Sequence, residues 1–79
     1  MTGPILQVAL PSPLRRLFDY RAPRGVSAAD LQVGQRVRVP FGNRAMVGMI
    51  AGISDHTEVP ANRLKPAEAL LDLTPVLPD

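Results

Sequence analysis

The sequence predicts an all-β fold, a small barrel or OB-like sandwich of about five to six short strands. Short apolar runs recur at regular intervals with Pro and Gly between them, which is typical of such folds. Within residues 36–41, the apolar Val37, Val39 and Phe41 alternate with arginine or proline, the period of a strand with one buried face. The chain has 79 residues, which favours a single domain with a thin core.

The first half of the chain predicts two strands and a loop. Residues 5–10 form the first strand, which ends before Pro11 because proline cannot donate a ladder hydrogen bond. Residues 17–20 form the second strand. Residues 21–34 form a loop, in which Ser27 caps one helical turn.

The central element is a hairpin. Residues 36–41 turn at residues 42–44 and return as the strand 45–54, in which Gly48 and Gly52 predict bends or a close backbone approach.

The C-terminal part is ambiguous. The run AEALLDL within residues 63–73 contains good helix formers, but Pro66 stands just before it and a barrel needs a closing strand. We therefore predict a strand at residues 66–71. Residues 1–73 are predicted to form the domain, and residues 74–79 a tail or linker toward further domains.

Charge is divided unevenly along the chain. Residues 1–50 contain seven arginines and two aspartates (+5), whereas residues 51–79 contain two basic and five acidic residues (−3), for a total of +2. Eight of the nine basic residues are arginines, which make bidentate contacts with phosphate and stack on bases. The first half is thus predicted to contact a polyanion, although a solvated surface of mixed charge explains the pattern equally well.

Several classes of function are not expected. Cysteine is absent and His56 is the only histidine, so neither a disulfide framework nor a metal site is predicted. There is no Gly-rich phosphate loop and no nucleophile with supporting residues, so we expect no catalytic residues. No apolar run approaches the ~20 residues of a membrane span. No basic segment precedes an apolar one at the N-terminus, which favours a cytoplasmic protein.

One short motif places a carboxylate between two aromatics, Phe18-Asp19-Tyr20. On a strand, Phe18 and Tyr20 share one face and Asp19 points to the other. A core position is the simplest explanation for Phe18, but less so for Tyr20, because a buried hydroxyl needs a partner. Asp19 stands among arginines and could pair with one of them.

Together with other segments, this motif resembles the start of the PriA family, the primosomal protein N′ helicases. The resemblance extends from about residue 5 to residue 75, and the pairing of FDY with RVRVPFG at this spacing is its most specific part. The matching pieces are residues 8–11, 13–14, 18–20, 34–42, 48 and 64–65.

The resemblance implies a function for this domain. In that family the N-terminal module is a small β-barrel that captures the 3′-OH end of the nascent leading strand at a stalled replication fork. Its pocket positions match Phe18, Asp19, Tyr20, Gly42 and Lys65 here. The family helicase reloads the replisome as part of the primosome. Its implied location is the bacterial cytoplasm, in association with the nucleoid. Its ATP, Mg and zinc belong to other domains, so we expect no cofactor and no catalysis in this chain. The implied partners are branched fork DNA, the remaining helicase domains, other primosome proteins and single-stranded DNA-binding protein.

These roles make chemical sense. An ionised Asp19 accepts hydrogen bonds only, so it could take one from a 3′-hydroxyl and would repel a 3′-phosphate. Phe18 and Tyr20 could stack on a terminal base, which contributes ~1–3 kcal/mol and tolerates any sequence. Gly42 would allow close backbone approach, although a plain turn role is equally compatible. Lys65 could contact a phosphate.

Two further interpretations follow from the residues. Arg36, Arg38 and Arg44 lie on the polar side of the hairpin and are candidates for contacts with the DNA backbone, or simply part of a solvated strand face. The alternative function is a protein-interaction barrel of the SH3 or OB type, since fold alone does not decide. Peptide-binding barrels usually display several exposed aromatics, and this chain has three in total.

Overall fold

The computed structural model describes residues 3–13 and 16–74. Within them the expected all-β fold is confirmed, with five strands and a single short turn of 3₁₀ helix. No helix in these two segments is long and apolar enough to cross a membrane. The division into a domain at 1–73 and a tail at 74–79 stays a prediction, because residues 75–79 lie outside the described part. The elements are β1 (Ile5–Ala9), β2 (Leu17–Arg21), the 3₁₀ helix (Ala28–Asp30), β3 (Arg36–Phe41), β4 (Arg44–Ser54) and β5 (Ala69–Leu70).

The strands form one antiparallel sheet in the order β2-β1-β4-β3-β5. The predicted central hairpin is present as β3 and β4, and Arg44 already belongs to the second strand, opposite Phe41. The turn therefore has two residues. Its first, Gly42, has φ +64°, as a type II′ hairpin turn requires. Ser27 caps the 3₁₀ helix as expected, its hydroxyl accepting from the Ala29 amide at 3.2 Å.

The two edges of the sheet are joined by the segment that leads into β5. The Arg21 amide on β2 donates to the carbonyl of Lys65 (2.9 Å), and the Ala67 amide donates to the carbonyl of Arg21 (2.8 Å). The Glu68 amide then donates to the carbonyl of Arg38 on β3 (2.7 Å). The sheet thus curls into a small barrel.

The closing segment is extended, so the helical alternative for this region is wrong. The regular strand is shorter than the predicted 66–71, because the segment changes its partner from β2 to β3 between Ala67 and Glu68. Pro66 in addition has no amide proton to donate.

The core follows the predicted alternation. Val37 and Val39 of β3 are completely buried, whereas the arginines between and beside them are exposed. The other apolar members of the cluster come from every side of the barrel: Leu6, Val8, Tyr20, Leu31, Ile50 and Ala67. At Gly48 the backbones of β4 and β1 approach each other closely, as the sequence indicated. A β-carbon there would lie 2.6 Å from both the carbonyl oxygen of Ala9 and the Cδ2 atom of Leu10.

One buried polar residue was not predicted. Gln35 is completely buried. Its Oε1 accepts from the Gln32 amide at 2.8 Å, and its Nε2 donates to the carbonyls of Asp30 (2.8 Å) and Leu73 (3.3 Å). All its polar atoms are paired, so its burial leaves no unsatisfied group. The side chain ties the 3₁₀ helix to the chain after β5.

Outside the barrel, Arg36 and Asp72 reinforce the closure. The Asp72 carboxylate accepts hydrogen bonds from the backbone amide (2.9 Å), Nε (3.0 Å) and Nη2 (2.9 Å) of Arg36. The bonds from the Arg36 side chain and then its amide hold the pKa of Asp72 below its ordinary value. Only 12% of the Asp72 side chain is exposed.

We expect Gly48→Ala to lower the free energy of unfolding by about 1–3 kcal/mol, because the added methyl group overpacks the β1–β4 contact. Urea titration of the two proteins measures the difference. Gly3→Ala is the control, since a β-carbon at Gly3 meets nothing within 4 Å. Equal stability of the two variants would contradict the packing argument.

The Asp72 ion pair predicts a pH dependence of stability. A carboxyl group whose folded pKa is lowered stabilises the fold above its unfolded pKa of about 3.9, and this contribution disappears as the pH falls through the folded pKa. Asp72→Asn should therefore lower the melting temperature near neutral pH, and the difference from the parent should shrink below about pH 4.

Thermal melts of both proteins between about pH 3 and pH 7 test this dependence. Asp55→Asn is the matched control, because Asp55 is exposed and forms no ion pair with any described residue. If the difference in melting temperature between Asp72→Asn and the parent stayed constant across this range, the ion pair would not be its cause.

Candidate nucleic-acid interface

A pocket of about 330 Å³ lies where β2, the β3–β4 turn and the loop before β5 meet. The five residues predicted as a binding site all line it: Phe18, Asp19, Tyr20, Gly42 and Lys65. Phe18, Asp19 and Tyr20 are consecutive on β2, whereas Gly42 and Lys65 are distant in sequence. The barrel closure at Arg21 brings Lys65 to β2. The described residues that complete the lining are Arg16, Leu17, Pro40, Phe41, Val59 and Arg63.

Tyr20 is the buried wall of the pocket. Only 6% of its surface is exposed, and its hydroxyl donates to the carbonyl of Pro40 at 2.7 Å. Burial raises the pKa of the phenol, so it stays a neutral donor. This bond supplies the partner that a buried hydroxyl needs, and it fixes the end of β3 beside the Gly42 turn. A stacking role for Tyr20 stays a prediction, and Phe18 has the more accessible ring.

Phe18 is half-buried between two neighbours. Its ring meets Phe41 edge to face, with centroids 5.1 Å apart and an angle of 85°. The guanidinium carbon of Arg16 lies 4.8 Å from the ring centroid, a cation–π arrangement. Neither neighbour was predicted as a site residue. The alternation along β3 had indicated only a core position for Phe41.

Asp19 is held by a hydroxyl group. The Thr57 Oγ1 atom donates to its Oδ2 at 2.6 Å. None of the described arginines forms an ion pair with Asp19; Arg15 lies outside the described residues. The expected pairing with an arginine is therefore not found among the residues that the structure covers. The partner comes instead from a loop that the sequence marked only as polar.

Basic side chains surround this single carboxylate. Arg16, Arg63 and Lys65 line the pocket with Asp19, and within residues 3–13 and 16–74 none of the three forms an ion pair. Arg63 was missed. No period-two signal could have placed it, because Arg63 lies in a turn in which its amide donates to the carbonyl of Pro60 at 2.8 Å. The pocket thus combines positive charge with an aromatic ring and a hydrogen-bond acceptor.

The three predicted backbone-contact arginines are not part of the pocket lining. Arg36 is bound by Asp72, and the Nε atom of Arg38 lies 3.2 Å from Glu68 Oε1. Arg44 is exposed at the start of β4 and has no carboxylate partner among the described residues. Contacts of these arginines with DNA stay predictions.

His56 lies in the loop after β4, largely exposed, with its Nε2 atom 3.3 Å from Glu58 Oε1. Across the described segments no group of three or more His, Cys, Asp or Glu side chains is arranged to hold a metal ion.

Comparison with known proteins identifies the family of this chain. The protein-family model of the 3′ DNA-binding domain (3′BD) of PriA matches residues 7–79 of the sequence. The chain belongs to this family. The resemblance seen in the sequence is thereby confirmed, and the function of the family's domain is DNA binding.

Two members of the PriA family show how much of a longer protein the match covers. Over 72 residues the chain is 46% identical to the replication restart protein PriA of Haemophilus influenzae, covering 91% of this chain and 10% of that protein. Over 62 residues it is 39% identical to the replication restart protein PriA of Bacillus subtilis, covering 78% of this chain and 8% of that protein. The chain thus spans a tenth or less of the length of these relatives.

Proposed function

We propose that this chain binds the 3′-hydroxyl end of DNA without reading base sequence. It would do so on the nascent leading strand of a stalled replication fork, as one module of a replication-restart helicase. The observation that carries the proposal is the pocket itself. It contains one carboxylate, one accessible aromatic ring and three basic side chains without ion-pair partners among the described residues.

The carboxylate accounts for end recognition. Asp19 accepts from Thr57 through Oδ2, and its other oxygen can accept from a terminal hydroxyl. A 3′-phosphate would bring negative charge against the same group, which costs free energy in a partly desolvated site. Asp19 therefore favours an end that a polymerase can extend over a blocked end.

The remaining groups account for binding that is independent of sequence. The Phe18 ring can stack on any base, exchanging its Arg16 neighbour for the base or sharing the stack with it. Arg63 and Lys65 can contact the phosphates that precede the terminal nucleotide. Gly42 lines the pocket and would let the DNA come close to the protein backbone, because it has no side chain.

The remaining parts of the proposal concern the whole protein. The chain itself would be non-enzymatic and need no cofactor, whereas ATP hydrolysis and zinc binding would belong to other domains of a PriA-like helicase. Its partners would be fork DNA, those domains and other primosome proteins, in the bacterial cytoplasm. Two relatives named as bacterial replication restart proteins support this setting. An adaptor barrel is less well supported, because the pocket is basic and offers a single accessible aromatic cluster.

Asp19→Ala should abolish the preference for a 3′-hydroxyl over a 3′-phosphate and leave weak, salt-sensitive binding. The measurement is fluorescence anisotropy with two fork DNAs that differ only in the 3′ group of the leading strand. Asp30→Ala is the control, since Asp30 is an exposed carboxylate away from the pocket. Full preference in the Asp19 variant would show that another group reads the end.

The logarithm of the DNA association constant falls linearly with the logarithm of the salt concentration. Arg63→Ala should make this slope shallower by about one, as expected for one lost phosphate contact. Arg36→Ala should leave this slope unchanged, because Asp72 already binds that guanidinium. Titrations at several salt concentrations give both slopes. If the Arg36 variant lost as much slope as the Arg63 variant, DNA would contact the outer face of β3 instead.

A further inference from the structure

The hydroxyl of Thr57 links Asp19 to the loop that forms the far wall of the pocket. Thr57 Oγ1 donates to Asp19 Oδ2 at 2.6 Å and accepts from the backbone amide of Val59 at 3.1 Å. A hydroxyl has one proton, and the Val59 amide fills an acceptor site on its oxygen. That proton is therefore directed at the carboxylate. Val59 itself lines the pocket.

We infer that Thr57 is a positioning residue that orients the Asp19 carboxylate and so sets the selectivity for a free 3′-hydroxyl. The inference rests on the proposed function. Oδ2 already accepts from Thr57, so we assign the bond from the DNA end to Oδ1, which accepts none of the described hydrogen bonds of Asp19. The carboxylate stays in one orientation because the loop holds the hydroxyl in turn.

Without the Thr57 hydroxyl, the carboxylate is free to rotate about its side-chain bonds. The basic groups that line the same pocket, Arg16, Arg63 and Lys65, are then available as donors. A carboxylate that pairs with one of them no longer presents a free oxygen to a hydroxyl. Its charge is then partly neutralised, so it also repels a phosphate less. Discrimination should fall while general affinity for DNA persists.

The last residue of β4, which directly precedes this loop, supplies a matched control. Ser54 Oγ accepts from the amide of His56 at 3.1 Å, the same two-residue hydroxyl–amide bond that Thr57 makes with Val59. Ser54 has no contact with Asp19 among the hydrogen bonds of the described residues. Ser54→Ala therefore removes a comparable support of the loop without touching the carboxylate.

The experiment measures the ratio of dissociation constants for fork DNA ending in a 3′-phosphate and in a 3′-hydroxyl. The 79-residue chain is compared with Thr57→Val, Thr57→Ser and Ser54→Ala. The ratio does not depend on the folded fraction, because both DNAs bind the same folded molecules. We expect Thr57→Val to lower the ratio by roughly five- to tenfold, the effect of one net hydrogen bond. Thr57→Ser and Ser54→Ala should keep it within about twofold.

The outcomes separate the inference from the function on which it rests. A parent chain with a ratio of one overturns the proposed end recognition and the inference with it. A parent chain that prefers the hydroxyl, together with an unchanged ratio in Thr57→Val, overturns the inference alone. An equal loss in Ser54→Ala, or no rescue by Thr57→Ser, also overturns it, since a general weakening of the loop would then explain the result.

Discussion

The pocket depends on two hydrogen bonds made by the backbone of one residue, Arg21. The amide and the carbonyl of Arg21 bond to Lys65 and Ala67 respectively, which joins β2 at one edge of the sheet to the segment that pairs with β3 at the other. An open sheet would leave both edges unpaired. It would also leave the loop with Arg63 and Thr57 held to β2 by side-chain hydrogen bonds alone, such as the bond from Thr57 to Asp19. Closure therefore creates the site and removes the edges in the same step.

Closure and strand alternation together explain how three consecutive residues of β2 reach different partners. Strand alternation turns Tyr20 inward, where its hydroxyl bonds Pro40, and Asp19 outward, where it meets Thr57. Phe18 lies near the start of β2 and is only half-buried, and its ring contacts both Phe41 and Arg16. The inward residue fixes the scaffold, and the other two are left for a ligand.

The strands could be predicted because a period of two and the positions of proline are local signals. The closing segment was predicted only in part, since its exchange of partners between β2 and β3 is set by the tertiary fold. The five site residues came from the family resemblance; residue chemistry alone marked only Asp19 as unusual. Thr57 was missed because its partner is 38 positions away, and Gln35 because its bond to Leu73 spans a similar distance.

The two oppositely charged halves of the sequence are not separate on the folded surface. The basic first half and the acidic second half meet at Arg36–Asp72 and Arg38–Glu68, so part of the outer face is compensated within the molecule. The three basic groups at the pocket have no ion-pair partner among the described residues, and in the proposed function they would attract DNA over long range. In the proposed function, Asp19 would act only at short range, on the group at the DNA terminus. Two unit charges 4 Å apart interact by about 1 kcal/mol in water and about 4 kcal/mol at an effective dielectric constant near 20. Under the proposed function, one carboxylate among cations would therefore separate a hydroxyl end from a phosphate end by about fivefold to several hundredfold, while DNA of any sequence would still bind.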